Sequence, residues 1–499
     1  MNIKTFAIAL SFVFISSLVR GQASQPYLVA DFSEKDLPVM LDLCHQGGFE
    51  MLVERTPFST YGHYVWNNAF APEGDRSVKR MAQAAEKEGV TLGLLVQEDA
   101  ISLNDMYFSP KYFRQYRRSE QLKLFEELTA DEVDIALRRN ETFKDQSSLN
   151  LLMIDDEIVS FGTKEFAGDL VLLHHCTRGM YDTKITSHGT DAKVFRIMDS
   201  PGRFVIPDGE LLQTVRQQLA DRLSAANVST ILYQGVPGQE VLDEAIRVRQ
   251  VERWEQEGVT NGSLGWFMIH AADKKRAATE MEDLEWMLAK AAAYDANYAL
   301  LVDPKAIKGH GSLRDLLVKA GQWGELIRGD AFTSQQKSLL KDPYLDWHLE
   351  CQPDSLYIVY PWNLSRRFQC KLQEIDTGLL RGEDWVWKSE EEGPFGIRLM
   401  VDGEVEVTNP MINTNKGLVM FPCTLKPGQR LDYLFGETAC VMDANLNKVS
   451  EFTVEGVAEL AQGENEVYLL CEVDPSVRKF PVMTLRYITR EIPFMLNPH

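Results

Sequence analysis

The sequence predicts an α/β chain: a (β/α)8 TIM-like barrel with a β insertion, followed by a C-terminal β-sandwich region. Three observations point there. Strand and helix patterns alternate between residues 27 and 96, with three strands in succession, which marks a parallel sheet covered by helices. The rhythm resumes near residue 193 and runs to about 340. From Tyr344 the helical period vanishes, and short alternating stretches between turn residues replace it.

Taken in order, residues 1 to about 21 carry Lys4, an apolar run over 6–19 and small residues after it, the pattern of a secretory signal peptide. The apolar run is short and no stop-transfer charges follow, so an exported, secreted or periplasmic chain is expected, with no membrane insertion. A strand over 27–31 leads to a helix over 37–46 that stops at Gly47 and Gly48. The next strand, 49–53, ends in Glu54 and Arg55, and a polar loop with Tyr61, His63, Trp66 and Asn67 follows. Asp75 caps a helix in which Val78, Met81 and Ala84 keep helical spacing. The third strand, 92–96, runs straight into Gln97, Glu98 and Asp99 and then a long polar segment with Asn104, Asp105 and Tyr107.

Short alternating stretches over 133–137, 151–154, 158–161 and 170–173 predict a small antiparallel insertion at about 120–182, placed to roof a cleft. Further strands are expected at 193–197, 229–233, 265–269 and 298–302, and helices at 210–225, 280–294, 312–327 and 333–340. That makes seven clear strands, with an eighth poorly marked; a doubly wound sheet is the alternative. No G-x-G-x-x-G follows a strand, so no dinucleotide cofactor is expected. The barrel domain is read as 22–343 and the β region as 344–499, as one or two subdomains.

A formal charge of −21 argues against nucleic acid as a partner, while a local arginine group remains compatible with an anionic sugar. The seven cysteines are too few for a disulfide scaffold and show no metal spacing; H-E-x-x-H, EF-hand and G-x-S-x-G motifs are absent. No metal and no cofactor are expected, and the sequence sets no oligomeric state.

Four pieces, GHYVWN (62–67), ISLNDMYFSP (101–110), CTRGMYDTKITSHG (176–189) and GWFMIHAADKKRAATEMEDLEWMLAKAAAYDANYALLV (265–302), resemble secreted TIM-barrel carbohydrate-active proteins of gut Bacteroidetes. These are related broadly to α-galactosidase and α-amylase-like barrels. The resemblance implies a polysaccharide or oligosaccharide substrate and an accessory role for the β region. It also exposes a departure: Gln234 stands where comparable barrels carry an acidic residue, so the mechanism differs or the domain binds without hydrolysing.

Hydrolysis of a glycosidic bond needs two carboxyl groups, one of them protonated. Glu98 is favoured over its neighbour Asp99, since adjacent residues on an extended strand face opposite ways, and Asp105 is the alternative. Asp199 takes a strand-end position for the second carboxylate, and Asp208 follows it. Glu54, His63, Trp66, Asn104, Tyr107, Arg178, Tyr181 and Gln234 are candidates for substrate contact. Each loop acid has a plain alternative as a carboxylate bonded to backbone amides or an arginine. Elimination from a uronate would instead use His270 or Tyr181 as base with Arg178 as carboxylate clamp, although Arg178 serves equally as a salt bridge locking the insertion. Tyr61, Trp66, Tyr107 and Trp266 could stack on sugars, with Trp266 better explained by packing. His270 has a structural alternative too. The expected activity is therefore an exported glycoside hydrolase, with a polysaccharide lyase and a non-catalytic glycan-binding protein as rivals.

Overall fold

A computed structural model describes residues 25–139, 149–200, 204–226, 230–233, 244–352 and 356–496. The expected signal peptide and Gln234 lie outside the described residues. The chain forms two compact units: the described part of Asp31–Pro38 and Val53–Val236, and that of Ala23–Ala30, Val39–Leu52 and Pro237–His499.

The α/β part holds the strands β1 (Tyr27–Ala30), β2 (Met51–Glu54), β3 (Thr91–Val96), β4 (Thr230–Tyr233), β5 (Ser263–Ile269) and β6 (Asn297–Val302). In the first unit β4 pairs with β3 in parallel, Ile231 beside Leu94. The apolar run from Leu92 to Val96 is buried throughout, which is why it does not alternate. In the second unit β6 lies between β5 and β1, parallel to both, with Ala299 beside Trp266 on one side and Tyr27 on the other. Helices α1 (Leu37–Gly47), α2 (Asp75–Lys87), α3 (Gly209–Ala226), α4 (Glu244–Glu257), α5 (Met281–Tyr294) and α6 (Leu313–Arg328) alternate with these strands.

One expected strand is placed differently. Val194–Arg196 pairs antiparallel with Leu151–Ile154, which also pairs with Glu157–Ser160. It therefore belongs to the insertion, and the α/β part shows six strands among the described residues where eight were expected. A strand of only three residues, Val194-Phe195-Arg196, carries no period that could separate the two kinds of strand. A second small sheet joins Ile135–Arg138, Leu170–His174 and Thr163–Ala167. Leu124, Leu137, Leu152, Phe161 and Leu173 form a core shared by both sheets.

Most of the β strands after residue 345 join one sixteen-stranded sheet. Alternation is clear in Gly463–Glu472, whose inward residues Val467, Leu469 and Cys471 meet Leu399, Phe421 and Leu485 in a single apolar cluster.

Helix α5 departs from a simple apolar stripe. It is buried from Leu284 to Tyr294, and Glu282 is buried too, charges included. Each charge is met within the second unit: Glu285 accepts from Trp323 Nε1 and Leu349 N–H, and Lys290 donates to the carbonyls of Leu340 and Asp342. At its start, Arg398 binds Glu280 and Glu282, Arg430 lies 2.9 Å from Glu280 and Arg486 lies 3.5 Å from Glu282. Burial first, then the charges of Glu282 and Glu280, push Asp283 up to about 8.

Candidate functional site

The loops leaving β2 and β3 build the site in the first unit. Glu54, the last residue of β2, is 1% exposed. Its Oε2 accepts from Phe32 N–H at 3.0 Å and its Oε1 from Thr56 N–H at 3.0 Å. The Thr56 hydroxyl sits 3.3 Å from Glu54 and 3.0 Å from Asp31, so the two carboxyl groups share it. Asp31 is gripped by Arg55 through Nε and Nη2. Burial, reinforced by the Asp31 charge and opposed by the two backbone donors, pushes Glu54 up to about 8. With both oxygens occupied by backbone amides, Glu54 braces a turn; it is not displayed for substrate.

Glu98 and Asp99 follow β3 in a turn and not in extended backbone, so the expected strand alternation does not govern them. Asp99 makes a forked pair with Arg216 of α3, at 2.8 and 2.7 Å. Glu98 is half-buried and makes no side-chain hydrogen bond among the described residues. Burial first, then the Asp99 charge, raise its carboxyl above the ordinary value, and Arg216 partly opposes them. Its backbone is held by Tyr64, whose phenol oxygen lies 2.9 Å from the Gln97 carbonyl and 2.7 Å from that of Glu98. Burial and the surrounding Asp99, Glu98, Tyr61 and Asp105 hold that phenol well above its usual range, so these groups converge around one ring.

The loop before Tyr64 carries a second device. Asp105, 5% exposed, accepts from the backbone N–H groups of His63 and Tyr107 at 3.0 and 2.9 Å. His63 Nδ1 lies 2.7 Å from Asp105 Oδ1, and its ring stacks on Tyr107 with centroids 3.9 Å apart. A proton on Nδ1 donated to the carboxylate leaves Nε2 as an acceptor on a side chain 24% exposed. Gly62 permits this approach: at φ 115° it is in the glycine-favouring region, and a Cβ there would stand 2.7 Å from Asp105 Oδ1.

Other candidates are placed less favourably. Trp66 stacks on Phe58 and donates Nε1–H to Asp75, so it is packing within a hairpin. Tyr107 has one face on His63 and meets Tyr112 edge-on, while Asn104 is exposed on the same loop. Asp199 sits in the hairpin Asp199–Ser200/Phe204–Val205 and accepts from Leu149 N–H at 3.2 Å.

The uronate clamp expected of Arg178 is corrected by its partners. Its Nε and Nη2 fork onto buried Glu157 at 2.6 and 2.8 Å, and its remaining contacts are the carbonyls of Thr129, Glu132 and Thr186. Arg178 locks the insertion. His188 lies 2.9 Å from the same Glu157. Tyr181 meets Phe108 edge-on at 4.5 Å and holds φ 56°, an uncommon backbone state for a tyrosine. His270 ends β5 in the second unit, 1% exposed, with Nδ1 3.1 Å from the Ala271 carbonyl and its N–H on Thr279; it is built into the backbone and is not displayed.

Sequence reasoning missed Arg216 and the Asp31–Arg55 pair. Arg216 reaches Asp99 across 117 residues of sequence, which no local spacing signals.

No family model matches the chain, and no curated protein matches it. Solved structures similar to it include the GH36 α-galactosidase AgaA of Geobacillus stearothermophilus with stachyose, at 10% identity and TM-score 0.31, covering 93% of this chain and 58% of that one. The α-galactosidase from Lactobacillus brevis gives 11% identity and TM-score 0.32, covering 92% of this chain and 56% of that one. The trehalose-6-phosphate hydrolase of Bacillus licheniformis gives 8% identity and TM-score 0.32, covering 90% and 100%. The chain thus spans little more than half the length of the α-galactosidases, and likeness of this degree carries no argument about activity.

Proposed function

We propose that this protein is a carbohydrate-active enzyme that cleaves glycosidic bonds, with Glu98 as proton donor. The observation that carries the reading is the state of that side chain. It is half-buried at a strand end, raised in pKa, and makes no hydrogen bond of its own among the described residues. A general acid must hold a proton at working pH and have it free to give. In the same reading His63, oriented by Asp105, takes a proton from the attacking water through Nε2. Tyr107 stacks on that imidazole and fixes its plane, and Tyr112 meets Tyr107 edge-on. Export through residues 1–21, a polysaccharide or oligosaccharide substrate and a (β/α)8 architecture belong to the proposal. Pairing of β1 with β6, first parallel strand with last, supports such closure.

The test is Glu98→Gln assayed on two glycosides. A substrate with a poor leaving group should slow by about 10²–10⁴-fold, and an aryl glycoside with a good one far less. Equal losses on both would remove Glu98 from the acid role.

A second reading, elimination from a uronate glycan, is favoured by one observation: the His63–Asp105 dyad is also a suitable base for a C5 proton. The occupied fork of Arg178 weighs against it. Reducing ends that appear together with ultraviolet absorbance would assign elimination, and reducing ends alone would assign hydrolysis.

A further inference from the structure

The second unit holds a cavity of about 350 Å³ at the amino ends of β1, β5 and β6, the end opposite His270. Its wall includes Gln25 before β1, Gly262 before β5, Asn297 at the start of β6, and Gly324 and Arg328 of α6. Three features of this wall are unusual.

Asn297 is 7% exposed, yet its amide oxygen has no hydrogen-bond partner. A buried amide oxygen left without a donor costs about 1–3 kcal/mol, so a donor supplied from the cavity would be bound with that gain. Arg328 makes no hydrogen bond or ion pair among the described residues, although it is the cavity's cation. Its guanidinium lies against Gly324, where a Cβ would stand 3.2 Å from one terminal nitrogen, with Gly48 beside the other. The wall's own anion, Asp295, is matched by Lys337 at 2.8 Å, which leaves Arg328 unbalanced.

From these we infer that the cavity is a binding site for a small hydroxy-carboxylate of the sugar-acid kind. The carboxylate would take the guanidinium fork of Arg328, and a hydroxyl would donate to Asn297 Oδ1. An uncharged sugar satisfies only the second group, and a bare anion only the first. The site asks for both on one molecule. The inference does not depend on the proposed chemistry at Glu98.

The experiment is titration of the purified protein with D-galacturonate, and with D-galactose as the uncharged match, followed by saturation-transfer NMR. Galacturonate should bind more tightly than galactose, and Arg328→Gln should weaken it about tenfold or more, with Asn297→Leu also weakening it. Arg328 is exposed, so its substitution leaves the fold intact, as circular dichroism would verify. Running the titration on Glu98→Gln separates this site from the other: binding there should be unchanged. The inference is overturned if galacturonate does not bind, if galactose binds equally, or if binding survives Arg328→Gln undiminished.

Discussion

The phenol oxygen of Tyr64 lies 2.7 Å from the carbonyl oxygen of Glu98, so a side chain on the loop after β2 fixes the backbone that presents the acid after β3. Tyr64 itself is fully buried and holds φ 50°, a state that costs of order 1–3 kcal/mol and persists only under firm packing.

Tyr64→Phe keeps the ring and removes this tie. Two part-buried carbonyls lose the one hydroxyl they share, and the loss should appear as about 1–3 kcal/mol in a denaturant titration. Turnover should fall more than KM rises, because the acid and not the binding surface is displaced. An unchanged denaturation midpoint would show the hydroxyl is not needed.

Activity should fall as pH rises through the raised pKa of Glu98, since the protonated form is the donor. Glu98→Gln should abolish that alkaline limb in the residual rate. A limb that survives the substitution belongs to another group.

Glu54 makes stability depend on pH. Its carboxyl lies at about 8 in the fold against 4.5 for the ordinary group, so between those values the native chain binds more protons than the unfolded one. Stability therefore declines as pH rises across that window, by up to about 1.4 kcal/mol per pH unit. Glu54→Gln should flatten the slope, while losing one of two backbone acceptors costs the same at every pH. Melting curves from pH 5 to about 8 check the sign.

Arg178→Gln should destabilise the fold by about 3–5 kcal/mol, because Glu157 stays buried without its fork. Glu157 is drawn down to about 2 by Arg178, His188 and Thr186 against the cost of burial, so its contribution is lost as pH falls from 4.5 through that value. A clamp role would instead raise KM selectively for uronate substrates at unchanged stability.

Much of the α/β alternation was legible because β3 and β6 are buried along their length and read as continuous apolar runs between amphipathic helices. The strand Val194–Arg196 was misplaced because its pairing with Leu151–Ile154 is antiparallel and set across about forty residues, which its own short pattern does not signal. In the site, Glu98, Asp105, His63 and Tyr107 were visible from their position after strand ends. Their pairing was not: whether a loop acid faces an imidazole or an arginine depends on contacts such as Asp99 with Arg216, set by the fold. Glu54 and Arg178 show the converse, residues with the right chemistry whose atoms are all engaged by neighbours.

The start of helix α5 places Glu280 and Glu282 inside the protein, and the arginines that neutralise them, Arg367, Arg398, Arg430 and Arg486, arrive 87 or more residues later in synthesis. A nascent chain that has emerged only as far as residue 343 carries these acids with no counter-charge. Gene rearrangements that exchange the C-terminal strands must therefore carry these four arginines with them, or leave two buried acids without counter-charge.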